Sequence, residues 1–171
     1  MSEAAANTAD FELSISDAEL EQLVDFMLVK GGTLAELRGI TRDELEGIYA
    51  IAYSELGQKH FQKAEELYTF LCLFDHNTKK NWMGLGVSRQ MTEKYRDAVA
   101  AYYVGASKDL DDPAPALKTG ECFLAVGELE KAERAFKTAA HLASQEAKFE
   151  GLKKSAEAML TAVDNRRTTQ A

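Results

Sequence analysis

The chain has little of what marks crosslinked, membrane-embedded or polyanion-binding proteins. Its 171 residues include two cysteines, Cys72 and Cys122, which form no C-x-x-C pair and no cluster with metal-ligand spacing. That argues against a disulfide framework and predicts reduced, buried thiols. Basic residues number 20 against 28 acidic ones, a net charge of −8. A concentrated basic face is missing, so nucleic acid is not an expected partner. No apolar run approaches the ~20 residues that span a bilayer. The opening "MSEAAANTADFELSIS" has no charged-then-apolar signal pattern, which makes a cytoplasmic protein the expectation. Two prolines and eleven glycines leave long uninterrupted stretches rich in Ala, Glu, Leu and Lys, and these favour helix.

What is present is a repeat. The segments "KHFQKAEELY", "EKYRDAVAAY" and "GELEKAERAF" place Ala64, Ala98 and Ala132 in register, with 98 − 64 = 132 − 98 = 34. Phe61, Tyr95 and Leu129 stand three residues before these alanines, and Tyr68, Tyr102 and Phe136 stand four after. Ala52, Gly86 and Gly120 lie twelve before. A 34-residue period of this kind is the tetratricopeptide spacing, in which paired antiparallel helices stack because one pair cannot bury its own apolar face. The expected fold is all-α: a superhelix of three tetratricopeptide repeats over 41–144, divided near 45–78, 79–112 and 113–144. Close helix crossing explains the small residues, with the alanine of each second helix meeting Ala52, Gly86 or Gly120. Trp82 and Leu85 are expected in the core, and the aromatics are expected to fill the space between repeats.

Three sequences read as capping boxes: Ser16-x-x-Glu19, Thr33-x-x-Glu36 and Thr41-x-x-Glu44. The first opens an N-terminal helix region, 16–40, with Leu20, Leu23, Val24, Met27 and Leu28 on one stripe. A C-terminal capping helix is expected over 145–164, amphipathic through Phe149, Leu152, Ala156, Met159, Leu160 and Val163. Residues 1–15 and 165–171 are expected to be disordered.

Chemistry-bearing motifs are scarce. The "GLG" at 84–86 follows no β-branched strand and lacks the glycines or GK[ST] of a phosphate loop. Gly86 already has a packing reason; Gly84 falls outside the repeat pattern. His60, His76 and His141 fall at or near helix ends, and none belongs to a ligand-like set of His, Cys and acids. Neither a metal, a cofactor nor an enzymatic activity is expected.

The remaining candidate site is the concave face, formed by the first helix of each repeat. Inward positions fall at Tyr49, Tyr53 and Leu56, then Met83, Val87 and Met91, then Leu117, Glu121 and Leu124. These helices are also apolar on their core side, and a second apolar stripe calls for a partner. A groove that captures an acidic peptide end would present Lys, Arg and Asn. Here Lys80 is the main basic residue, so an extended apolar peptide fits better. On the residues alone, a chaperone for such a segment and a general repeat adaptor that binds soluble proteins remain alternatives.

The strings "GGTLAELRGIT", "FLCLFDHNTKKNWMGLGVSRQ" and "TGECFLAVGELEKAE" resemble the class II type III secretion chaperones, across roughly residues 17–160. The resemblance implies a cytoplasmic protein that keeps a pair of hydrophobic, pore-forming translocators soluble before export. It implies an extended translocator segment in the groove at Tyr49, Tyr53, Leu56 and Met83. It also implies homodimers through the N-terminal helix, using Leu20, Val24, Met27 and Leu28, and in some members a part in regulating secretion genes.

Overall fold

A computed structural model describes residues 16–170; the expected disorder at 1–15 falls outside them. The chain forms two compact units, Met1–Gly32 and Thr33–Ala171. In the first, α1 (Asp17–Val24) runs into a π-helical turn, Asp25–Val29. Ser16 caps α1: its hydroxyl accepts from the Glu19 amide, and the Glu19 carboxylate accepts from the Ser16 amide at 2.9 Å. None of the α1 side chains is buried. Leu20, Val24 and Leu28 are exposed, and Met27 is half-buried.

The second unit is helical throughout. Thr33 and Thr41 close the other two capping boxes, on α2 (Leu34–Leu37) and α3 (Arg42–Gly57). Then follow α4 (Phe61–Phe74), α5 (Lys79–Met91), α6 (Tyr95–Ser107), α7 (Ala114–Ala125), α8 (Leu129–Ala143) and α9 (Glu150–Gln170). Helices α3–α4, α5–α6 and α7–α8 are the three repeat pairs. Each packs on the next, and α9 packs on α8 and α7.

The turn inside each repeat is built the same way. Lys59, Glu93 and Gly127 all have positive φ (64°, 62° and 79°) and are spaced by 34 residues. The amide one residue beyond each donates back across the helix end: His60 to Glu55, Lys94 to Arg89 and Glu128 to Phe123, each at 2.9 Å. This left-handed closure is the usual helix C-cap, and only the third repeat uses glycine for it.

The repeat core is well filled. Ala52, Ala64, Ala98, Ala132, Tyr102 and Phe136 are fully buried, and Tyr68 and Leu85 nearly so. Trp82 is half-buried, and its indole N–H donates to the His76 carbonyl at 2.9 Å. The close approach has a different cause from the expected one. A Cβ on Gly86 would come within 2.3 Å of the Tyr102 ring, and one on Gly120 within 2.5 Å of the Phe136 ring. The nearest atoms these glycines make room for belong to the aromatics four residues after Ala98 and Ala132. Those aromatic rings lie against the first helix of their own repeat and also reach the next element, as Tyr102 shares a core cluster with Cys122 and Phe136 shares one with Ala156 and Val163. In the first repeat the corresponding position, Ala52, carries a methyl, and the Tyr68 ring lies on Gly84 of the following repeat. That accounts for Gly84.

The expected disordered tail is also corrected: α9 continues to Gln170. The Arg166 guanidinium donates to the Leu124 carbonyl at 2.8 Å, and Arg167 pairs with Glu133 at 2.9 Å. These contacts tie Arg166 and Arg167 to α7 and α8, in a helix that runs beyond 164.

Candidate functional site: an aromatic groove on the first two repeats

Helices α3, α4 and α5 enclose a cleft of about 310 Å3. Tyr49, Tyr53, Leu56, Met83 and Val87 line it, five of the nine residues expected on the concave face. They converge because helical positions four apart project to one side. Tyr49 and Tyr53 stack with centroids 6.3 Å apart. Tyr68 meets Tyr49 edge-on at 5.8 Å and forms the floor with Gly84. Tyr53 is 65% exposed, and a side chain of that size left in water is available to a ligand.

Two lysines edge the cleft. Lys80 Nζ stands 4.2 Å from the Tyr49 ring centroid and bonds both carboxylate oxygens of Glu46, at 2.5 and 2.7 Å. Lys79 is held between Asp109, at 2.7 Å, and Asp112. Burial alone would lower the Lys79 pKa, but the bonds to Asp109 and Asp112 outweigh it and the net shift is upward. Burial pushes the Tyr68 phenol up, with Tyr49 and Tyr53 adding to the effect. Both lysines are paired within the protein, Lys79 with Asp109 and Asp112 and Lys80 with Glu46. Such a cleft offers apolar and aromatic contact with little net charge.

The other four expected residues lie elsewhere. Leu117 is 5% exposed and belongs to the core with Leu129, Ala132 and Phe136. Leu124 packs against that same core, and its carbonyl carries the bond from Arg166. Helix α9 supplies Ala156 and Val163 to this cluster, so apolar residues read as groove are covered. Glu121 accepts from Gln90 at 2.9 Å and from Lys118 at 2.9 Å, and Tyr102 donates to Gln90 at 2.7 Å. This polar network joins the second and third repeats. Met91, at the end of α5, is exposed and does not line the cleft.

Of the cleft residues, Tyr68, Gly84 and Lys79 were not read from the sequence as groove. The available signal was Ala52 standing where the other repeats have glycine. A larger cavity, about 520 Å3, opens between α6, α7 and α8, and no sequence motif pointed to it.

A tetratricopeptide repeat family model matches residues 45–77 and 80–106. Low calcium response locus protein H of Yersinia pestis is 31% identical over 145 residues, covering 85% of this chain and 86% of the relative. The type III secretion translocator chaperone SycD of Yersinia enterocolitica superposes with a TM-score of 0.73 at 32% identity, covering 77% of this chain and 98% of SycD. PcrH of Pseudomonas aeruginosa, solved in complex with the chaperone binding region of PopD, gives a TM-score of 0.73 at 33% identity, covering 75% and 97%. SycD is described as a translocator chaperone, and chaperones are a non-enzymatic class. No helix among the described residues is long and apolar enough to cross a membrane. With the 34-residue repeat, the three-pair fold and this degree of identity, the chain belongs to the class II type III secretion translocator chaperones.

Proposed function

We propose that the chain is a cytoplasmic holding chaperone for the hydrophobic translocators of a type III secretion system, gripping an extended apolar segment in the cleft between α3 and α5. The observation that carries this is the convergence of Tyr49, Tyr53 and Tyr68 with Met83 and Val87 on one face. PcrH, similar in fold and sequence, has been solved with a translocator's chaperone binding region. Each ligand side chain buried there contributes about 1.5–3 kcal/mol before ordering costs are subtracted. A few such contacts hold an aggregation-prone chain yet release it. The exposed stripe of Leu20 and Val24 on α1 and Leu28 on the π-helical turn after it, with Met27, is the surface through which we infer self-association.

Tyr49→Ala combined with Tyr53→Ala is the direct test. The double variant should keep its helical circular dichroism but lose co-purification with the translocator. Full solubilisation of that translocator by the double variant sinks the groove assignment. Leu20→Ser with Leu28→Ser should shift sedimentation toward a monomer; an unchanged mass rules out the α1 stripe as the contact.

A further inference from the structure

The 520 Å3 cavity between α6, α7 and α8 takes no part in the groove function. Tyr103 and Leu110 form one wall, Ala116 and Phe123 lie on the α7 side, and Ala135 and Leu142 belong to the α8 wall. Tyr103 is 58% exposed and Leu110 76%, so two large apolar side chains face water at the mouth of a concave apolar surface. Soluble proteins seldom leave such a patch without an occupant.

The shape and charge select one. On α8 the lining residues are 131, 134, 135, 138 and 142, a single helical stripe. Eleven steps of ~1.5 Å rise from 131 to 142 make a trough about 16 Å long, three turns of a helix. Small side chains at Ala106, Ala116 and Ala135 allow another helix axis to approach within the ~8–10 Å of ordinary helix packing. Of the charged lining residues, Asp112 is already paired with Lys79, and Lys131 and Arg134 give the trough a basic edge on a chain of net charge −8. Lys131 is paired with Glu128 and stands 5.4 Å from the Phe123 ring centroid. Arg134 is different: its backbone carbonyl accepts from Thr138, while its exposed guanidinium has no acidic partner among the described residues. A carboxylate from a ligand would complete that pair.

We propose that this trough docks an amphipathic α-helix of a partner protein, carrying an acidic side chain beside its apolar stripe and opposite Arg134. The mode is helix-in-groove, with apolar anchors at i, i+3, i+4 and i+7 giving affinity and the acid fixing register. It is distinct from the extended-chain cleft on α3–α5 and holds whether or not that cleft binds translocators.

The test uses the full chain and a fluorescein-labelled 14-residue helical peptide with leucines at i, i+3, i+4 and i+7 and a flanking glutamate. Saturable anisotropy is expected, with binding unchanged by Tyr53→Ala. Arg134→Glu should weaken it about tenfold, and the same peptide with lysine for glutamate should recover affinity on that variant. Leu110→Ser, an exposed change outside the helices, should weaken binding without altering the circular dichroism. Equal binding of a peptide broken by a central proline overturns the helix assignment. Equal binding of the lysine peptide to the wild-type chain, or no saturable binding of the glutamate peptide, overturns the proposal. So does a wild-type dimer that Arg134→Glu makes monomeric, because the occupant is then a second copy.

Discussion

The Tyr68 ring occupies the space that a side chain at Gly84 would need, with its Cε1 and Cζ atoms 2.3 Å from the Cβ position. An added methyl would meet a ring that is itself buried between repeats. Gly84→Ala should therefore destabilise the fold by about 1–3 kcal/mol, as overpacking does. Gly47, inside α3 with nothing within 4 Å of its Cβ position, gives the opposite sign. Gly47→Ala should stabilise by about 0.5–1 kcal/mol. Urea unfolding of both variants checks the pair, and a neutral Gly84→Ala would mean the ring moves at little cost.

The left-handed turn residues offer a second contrast. Lys59 and Glu93 carry side chains at positive φ, where Gly127 in the third repeat carries none. Replacing either with glycine should raise stability by up to about 1 kcal/mol, while Gly127→Ala should lower it by about the same amount. For a domain of this size that corresponds to Tm changes of roughly 2–4 °C. Thermal melts showing Lys59→Gly and Glu93→Gly both destabilised would contradict the shared turn geometry.

Acid should loosen the end of α9 first. Hydrogen bonds from Lys137 and then Arg167 hold the Glu133 pKa down to about 2, below its ordinary 4.5. A carboxylate lowered on folding contributes stability that is present above its unfolded pKa. That contribution declines as pH falls from about 4.5 toward about 2. Amide protection in residues 164–170, measured relative to the intrinsic exchange rate at each pH, should fall across this window in the wild type. Glu133→Gln should already exchange fast at neutral pH and show a flatter profile. A wild-type profile that is flat over the same range counts against the tether.

Both thiols should be inert in the folded chain. Burial raises Cys72 and Cys122 to about 12, leaving almost no thiolate at pH 8. Reaction with a chromogenic disulfide should proceed at the unfolding rate and give two equivalents only in denaturant. Rapid labelling without denaturant would show that a repeat opens locally.

The repeat, the helix pairs and the caps were legible because each is written in local sequence. Ser16, Thr33 and Thr41 sit three before a glutamate, and the alanines keep a 34-residue beat. The tertiary consequences were less legible. Leu117 sits one period beyond Met83 and reads as groove, yet its surroundings depend on where α9 lies. Arg166 and Arg167 look like a polar tail until Leu124 and Glu133 appear beside them. Lys59 and Glu93 hide their turn, since neither is a residue that announces positive φ. Tyr103 and Leu110 obey no repeat rule, so the trough they border has no signature along the chain.

The bridge from Tyr102 through Gln90 and Glu121 to Lys118 has a mechanical consequence. The aromatic cleft ends where this polar seam begins, and beyond it α9 has already claimed the apolar surface. A strand bound as proposed would be anchored over a short length on the first two repeats. Pulled along its own axis it must lose all its side-chain pockets together. Lifted from one end it gives them up in turn, at much lower force. The direction of pull, more than the affinity, would then decide how readily such a cargo leaves.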